Sequence, residues 1–493
     1  MESLREPLDP AVGISVGVAT ITAVILSRGW WNHEKRLAVV MRLGQLSKIW
    51  LVAAMRREPA AIVSACEASG PVFIKLAQWL STRKDILSPE LCEAMGCLHE
   101  QVACVPNQDD RLAAEADVTG LVVGEMLGGG CIAQVYAGKL QCSDGSTREV
   151  AVKVRRRAVV DLLHTDLIIL HYAAQLVESV WPHFQWLSMP DAVEQFGMYL
   201  MKQVDFRVEA SNLQRFGRNI DACKARVPKV LAASECVLVT DLVHGISLSH
   251  FLRQPQYKAF HKAVFRLLSD LIACMALRDK FVHGDLHPGN IMVSLASPDS
   301  VPTITLIDAG IAIEVSESMQ TCLKAAFVAA FHMNVAGLGK ALVSFHHGEG
   351  LCTHAADLAG LEHKLGCIGV AGCFTVDKSI WAEVFSDQRE YLGARTSHYF
   401  DKMLVVLSAH QVRVSPTFWA LLTAFALVEG SMKELGHQIN ILRMVTPYVF
   451  SFENVFGRIK AAARCALSER ASSVGSKPTK SMGCVPIPNF CGA

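Results

Sequence analysis

The octapeptide His283-Gly284-Asp285-Leu286-His287-Pro288-Gly289-Asn290, followed by Asp308-Ala309-Gly310, supplies two carboxylates and an amide at close spacing. Asp285 and Asn290 are separated by four residues. The run Ile291-Met292-Val293, the turn signals Ser297-Pro298-Asp299 and the run Ile304 to Ile307 read as a hairpin ending at Asp308. Three proton-accepting or metal-seeking side chains therefore converge on one hairpin. Phosphoryl transfer needs this set: Asp285 to orient an attacking oxygen, with Asn290 and Asp308 to hold Mg2+ against nucleotide phosphates.

Elements upstream must deliver the nucleotide to that hairpin. From about Leu121 the pattern becomes strand-like and runs into Gly128-Gly129-Gly130-Cys131-Ile132-Ala133-Gln134-Val135, after which Val135 to Leu140 resumes the strand. Gly128, Gly129, Gly130, Cys131, Ala133 and Val135 form the candidate phosphate loop, because small residues let backbone N–H groups approach phosphate oxygens. A turn at Ser143-Asp144-Gly145 leads to Val150-Ala151-Val152-Lys153, a third strand that aims Lys153 at the same phosphates. A lysine in a buried strand needs a partner. The stretch Asp191 to Asn219 reads as one long helix with Asp205 and Glu209 four apart on one face, and Glu209 is the expected partner. Val227 to Val230 and Val237 to Leu242 read as two further strands. Asp241 then lies at a hinge where backbone groups could bond an adenine edge.

The chain has 493 residues, 51% of them hydrophobic, enough for a large core in two or three folding units. A net charge of +1 without a domain-sized basic stripe argues against a nucleic-acid partner. Sixteen cysteines without a C-x-x-C pair suit a reducing compartment, and the spacing of Cys352, His354, His363 and Cys367 matches no tight zinc pair. Residues 1–31 form a tail in which Pro10 to Ser27 is uncharged and is followed by Arg28, Trp30, Trp31, Lys35 and Arg36. About 18 helical residues reach roughly 27 Å, so a single membrane anchor at about 10–27 is expected. A secretory signal and a buried helix are the rival readings, the acidic start Glu2, Glu6 and Asp9 speaking against the first.

Residues 32–117 read as a helical extension. At helical spacing Lys75, Gln78 and Ser81 or Thr82 share one face, and Phe73, Ala77 and Leu80 another. Ser88-Pro89-Glu90 reads as an N-cap with proline at the first helical position. Residues 118–245 then form a strand-rich lobe and 246–460 a helical one, with a Ser/Lys/Pro/Gly-rich mobile tail at 461–493. In the helical lobe, Phe418 to Val428 is too short to cross a bilayer and reads as a buried core helix.

Together, Lys75-Leu76-Ala77-Gln78, Gly128 to Val135, Lys153, Gln203 to Asn212, His283 to Asn290 and Asp308-Ala309-Gly310 resemble the UbiB or aarF-domain-containing (ADCK) family of atypical kinases. The chain is most similar to the second aarF-domain-containing branch, from about residue 70 to 312 and again at Pro416 to Tyr448. The resemblance implies an α+β, bilobal protein-kinase-like fold with a helical N-terminal extension, and binding of ATP or ADP with Mg2+. It also implies a mitochondrial or plastid membrane setting and support of coenzyme Q biosynthesis or related lipid metabolism. By this likeness Lys153 and Glu209 are the family's ion pair, Asp285 its catalytic aspartate, and Asn290 and Asp308 its metal ligands. Lys75 and Gln78 belong to the extension's Lys-x-Gly-Gln motif, which folds over the site and obstructs peptide substrates.

The sequence departs from the family in three places. Ala77 stands where the motif has glycine, Gln203-Val204-Asp205 replaces a Glu-x-Asp motif and removes the charge that would meet Lys75, and the nucleotide loop is Gly-rich instead of Ala-rich. An ATPase or small-molecule or lipid kinase is the first expectation, with membrane lipid, prenyl-quinone precursors or a lipid-biosynthetic protein complex as partners. A nucleotide-switched pseudokinase scaffold is the alternative. An ordinary protein Ser/Thr kinase comes third, because Gly310 to Val335 contains no activation segment ending in Ala-Pro-Glu.

Overall fold

The computed structural model describes residues 18–23, 33–56, 58–81, 87–99, 118–142, 144–157, 159–181, 189–220, 225–295, 300–331, 334–344 and 448–449. The chain forms two units, 1–445 and 446–493, and of the second only Tyr448 and Val449, both helical, are described.

A five-stranded sheet carries the first lobe. Strands β1 (Leu121–Gly129), β2 (Ala133–Gln141) and β3 (Thr147–Arg155) are joined by β5 (Val230–Ala233) and β6 (Val237–Asp241) in the order β1-β2-β3-β6-β5, every neighbour antiparallel. The two-residue period of β3 explains the arrangement. Val150, Val152 and Val154 face one way and join Tyr136, Val237 and Val239 in the core. Lys153, between two of these valines, is thereby turned to the opposite face, in register with Val135 and Leu238.

The expected helix over 191–219 is broken. Met189–Gln203 forms α6 and Phe206–Asn219 forms α7, where α1 to α5 are His33–Arg56, Pro59–Ser69, Pro71–Leu80, Pro89–Gly96 and Val159–Val180. Asp205 takes an extended conformation (φ −104, ψ 101), and its carboxylate accepts the Arg207 N–H. It caps the new helix and does not continue the old one, as short polar side chains do when they compete with the helical ladder. Phe206, Glu209, Ala210, Leu213 and Phe216 form the buried stripe of α7. Glu209 is therefore carried inside an apolar seam and does not share a helical face with Asp205.

The second lobe contains the anticipated hairpin: β9 (Ile291–Ser294) pairs antiparallel with β10 (Thr303–Leu306). They lie in a four-stranded sheet with β4 (Ala225–Arg226) and β7 (Ile246–Ser247), in the order β4-β10-β9-β7. β8 (Phe281–His283) and β11 (Ala312–Glu314) form a separate antiparallel pair. Helices α8 (Leu248–Arg253), α9 (His261–Leu277), α10 (Glu317–Phe331) and α11 (Val335–Ser344) complete the described part. The strand expected at Val227–Val230 lies a little later, at β5. The zinc-like cluster at 352–367 and the helix at 418–428 lie outside the described residues.

In the extension, Ser88 accepts the Leu91 N–H and caps α4 as expected, but the helix ends at Gly96 in a 3-10 turn, Cys97–His99. Gly70, at φ 96, ends α2 immediately before Pro71 opens α3, a backbone angle that favours glycine. Helix α1 packs on α2 and α5. Its Arg42 forks onto the fully buried Asp166 of α5, with Nε 2.7 Å from Oδ1 and Nη2 2.9 Å from Oδ2, and also donates to the Ser69 carbonyl. Of the expected anchor only 18–23, which is helical, lies within the described residues. Removing one member of a buried ion pair strands the other in a medium that cannot solvate it. Arg42→Ala should therefore lower the unfolding free energy by about 3 kcal/mol. Urea unfolding should show Arg42→Leu/Asp166→Leu losing less than the single variant.

Candidate functional site

Lys153 is the hub of the site. Its ammonium lies 2.8 Å from both Glu209 carboxylate oxygens and 2.8 Å from Asp308 Oδ2. Burial works against the lysine's charge, but Asp308 and Glu209 raise its pKa above the ordinary value. One cation between two anions leaves a surplus negative charge, and the two acids divide it unequally. Burial, then the neighbouring Asp308, pushes Glu209 up to about 7 despite Lys153. Asp308 is partly exposed, and although desolvation opposes its charge, Lys153 and the Gly310 N–H, which donates to Oδ1 at 2.8 Å, hold it well below the carboxylate range.

His283 ties the Asp285 and Asp308 segments together, a role with no signal in the sequence beyond its place two residues before Asp285. Its Nδ1 accepts the Asp285 N–H at 3.1 Å, so Nε2 is the protonated nitrogen that donates to the Asp308 carbonyl. The ring is buried, which lowers its pKa and keeps it neutral, and it stacks on Phe216 of α7 at 5.9 Å. Asn290, in the 3-10 turn Pro288–Asn290, donates through Nδ2 to the Asp285 carbonyl at 3.0 Å. Asn212 of α7 donates to the Ala309 carbonyl at 2.8 Å. Gly284 donates to the Ile311 carbonyl, and an added Cβ there would lie 2.5 Å from the Ile311 side chain, so only glycine permits this approach.

The Gly-rich turn is tighter than expected. Gly128 and Gly129 belong to β1, paired with Val135 and Gln134, and the strand resumes at Ala133. The turn proper is Gly130-Cys131-Ile132. The buried Cys131 thiol, raised by burial, lies close enough to Lys75 for the two to interact electrostatically. Asp241 commits its amide to the Lys229 carbonyl and its carboxylate to Arg148, at 2.8 Å.

Helix α3 of the extension enters this same space. Lys75 Nζ lies 3.4 Å from Asp285 Oδ2; burial opposes its charge, while Asp285, Cys131 and Asp308 raise its pKa. Gln78 turns elsewhere and donates to the Leu98 carbonyl at 2.8 Å. Ala77 is buried, so the methyl that glycine would lack is accommodated. Asp205 pairs with Arg207 and not with Lys75. Gln203 is buried, its Cγ 3.9 Å from the position of a Cβ on Gly310, and its Oε1 has no hydrogen-bond partner among the described residues.

The donor set suits Mg2+. Asp308 and Asn290 offer hard oxygens, with the Asn290 N–H2 already engaged and its oxygen turned away from that bond. The surplus negative charge around Lys153 is what a divalent cation would offset. A lysine on the third strand paired with a helix glutamate, facing an Asp/Asn/Asp hairpin across a two-lobed fold, defines a protein-kinase-like domain.

The ABC1 atypical kinase-like domain matches residues 124–342. The chain is 30% identical over 421 residues to a probable protein kinase UbiB of Aeromonas hydrophila, covering 83% of this chain and 73% of that one. It is 25% identical over 467 residues to a mitochondrial ABC1 family protein of Saccharomyces cerevisiae, covering 79% and 67%. The match to a mitochondrial ABC1 family protein of Schizosaccharomyces pombe spans 65% of that relative, and that to UbiB of Aeromonas salmonicida 55%, at 25% and 31% identity. A Mycobacterium tuberculosis protein solved with erythromycin is similar in outline, with a TM-score of 0.47 and 18% identity over 76% of this chain and 92% of that one. The chain belongs to the UbiB/ABC1 family of atypical kinases.

Because Glu209 binds its proton more tightly in the folded chain, its contribution to stability is full in acid and is lost as pH rises from 4.5 to about 7. Glu209→Gln should flatten that fall, by about 1 to 3 kcal/mol in urea unfolding across the interval. Asp308→Asn, by removing the neighbouring charge, should shift the fall to lower pH.

Proposed function

We propose that the chain is an Mg-ATP-dependent phosphoryl-transfer enzyme, an ATPase or small-molecule or lipid kinase. The observation that carries this reading is Lys153, held 2.8 Å from both Glu209 and Asp308. A lysine so placed presents a fixed positive charge where nucleotide phosphates would enter, and Glu209 keeps it from collapsing elsewhere. Asp308 and Asn290 would hold Mg2+, which when bound would neutralise phosphate charge and align the transferred group. The turn Gly130-Cys131-Ile132 would cover the phosphates. Asp285 would accept the proton of an attacking hydroxyl or water, its distance from Asp308 set by neutral His283.

The relatives support a reading of the setting. Two yeast members of the family carry the description mitochondrial, and we assign this chain to that compartment, in support of coenzyme Q biosynthesis or mitochondrial lipid metabolism. Prenyl-quinone precursors, membrane lipid or a lipid-biosynthetic protein complex are the partners this implies.

One contact favours a second reading. With Lys75 at 3.4 Å, Asp285 already faces a cation where an acceptor hydroxyl would have to arrive. A nucleotide-switched scaffold, binding without turnover, would use the same pocket.

Nucleotide binding and phosphate release separate the readings. Asp308→Asn should weaken Mg-ATP binding at least about tenfold, seen as loss of the Mg-ATP-induced rise in unfolding temperature, and abolish phosphate release. Undiminished hydrolysis in this variant would remove the metal role. Lys75→Ala should increase phosphate release if the chain is an enzyme. Tight binding without release in both wild type and Lys75→Ala would establish the scaffold.

A further inference from the structure

Two glycines at the Gly-rich turn are not there for lack of room. A Cβ added at Gly128 or Gly130 would meet nothing within 4 Å, and neither residue takes a positive φ. What they supply is uncovered backbone, which a phosphate can approach closely. Glycine backbone also has the most conformational freedom to lose, and ordering it only when a ligand arrives costs affinity. A turn that is to bind tightly must therefore be held in shape beforehand.

Arg156 is placed to hold it. The residue directly follows β3, three positions beyond Lys153, and it bonds to the turn twice. Its backbone N–H donates to the Ile132 carbonyl at 3.0 Å, and its side-chain Nε–H donates to the Gly130 carbonyl at 3.1 Å. The Gly130 N–H closes the turn by donating to the Ala133 carbonyl at 2.8 Å. In a planar trans peptide the C=O and the following N–H point opposite ways. With the Gly130 carbonyl committed to Arg156, the Cys131 N–H is turned away from the guanidinium. The neighbouring Arg155 is engaged elsewhere, donating through Nη1 to the Val204 carbonyl at 2.6 Å and the Glu235 carbonyl at 3.2 Å. The end of β3 is thus anchored to the junction of α6 and α7 without help from Arg156, and the Arg156 side chain serves the turn.

We propose that Arg156 is a positioning residue for phosphate binding: its Nε–H fixes the Gly130 carbonyl and so pre-forms the turn that receives the nucleotide. This rests on the reading of the turn as a phosphate cover and adds the group that shapes it. The hydrogen bond, more than the positive charge, is what the turn needs, because the partner is a neutral carbonyl.

Two substitutions in the full chain separate bond from charge. Glutamine places an N–H donor at the same ε position as arginine without the charge, and methionine has similar length and no donor. Hydrogen exchange without nucleotide should run about tenfold faster over residues 128–134 in Arg156→Met, and at the wild-type rate in Arg156→Gln. Mg-ATP affinity, read from the nucleotide-induced rise in unfolding temperature, should fall about tenfold in Arg156→Met and stay within about threefold of wild type in Arg156→Gln. Unchanged exchange or unchanged affinity in Arg156→Met would overturn the proposal. An equal loss in Arg156→Gln would overturn it too, since the charge would then be the cause. If the wild-type chain fails to bind Mg-ATP while the exchange difference persists, the nucleotide reading falls, and the phosphate role of Arg156 falls with it.

Discussion

A single ammonium group shared by the buried Glu209 carboxylate and the partly exposed Asp308 constrains most of this structure. Charges removed from water must be met by opposite charge at hydrogen-bond distance, and Lys153 meets Glu209 and Asp308 at 2.8 Å each. For that to happen β3 must keep the register that turns Lys153 away from the valine core. Helix α7 must begin at Asp205 so that Glu209 lies in its buried stripe, and the β9–β10 hairpin must return Asp308 to the same point. A change in any of the three elements leaves an unpaired charge, so the site and the fold stabilise each other. The arrangement still carries one negative charge too many, which is why a divalent cation suits it.

The extension meets the same electrostatic demand from the opposite side. Lys75 comes from a helix over two hundred residues away in sequence, and it neutralises Asp285 as Lys153 neutralises Asp308. Cys131, at the turn that would cover phosphates, lies near the same lysine. Extension, Gly-rich turn and Asp285 are thus one electrostatic neighbourhood. The bond between Arg42 and Asp166 ties α1 of the extension to α5, outside the site.

Lys153, Glu209, Asp285, Asn290 and Asp308 were legible in the sequence because each is a polar residue in an otherwise apolar or turn-forming context, at spacings that only a few local structures allow. The hairpin was legible for the same reason, two apolar runs around Ser297-Pro298-Asp299. The division of residues 191–219 was not. An aspartate within an apolar-periodic run can sit on a helix surface or cap a new helix, and a bond to the next helix's N–H, visible only in three dimensions, decides between them. Gly128 and Gly129 carry a loop signal in the sequence because glycine usually interrupts strands, but pairing with β2 overrides that preference. The partners of Lys75, Gln78 and Arg42 carry no local signal: Arg42 and Asp166 are 124 residues apart. His283 was visible as part of the motif, yet its two opposed hydrogen bonds follow only from the return of Asp308.

Helix α7 is fastened at both ends to different lobes. Its first residue donates to the Glu235 carbonyl at the end of the five-stranded sheet, while its far half is held by β8 and β11. Phe216 packs on Phe281 at 4.6 Å, the Arg215 guanidinium lies 4.0 Å over the same ring, and Arg278 donates to the Asn219 carbonyl. The helix is a strut across the molecule, not a lever hinged on the upper lobe. Swinging it outward to uncouple Glu209 from Lys153 would mean unstacking aromatic rings in the lower lobe, a large expense for a switch. Control of this molecule is therefore better exerted by displacing the extension than by tilting the glutamate-bearing helix.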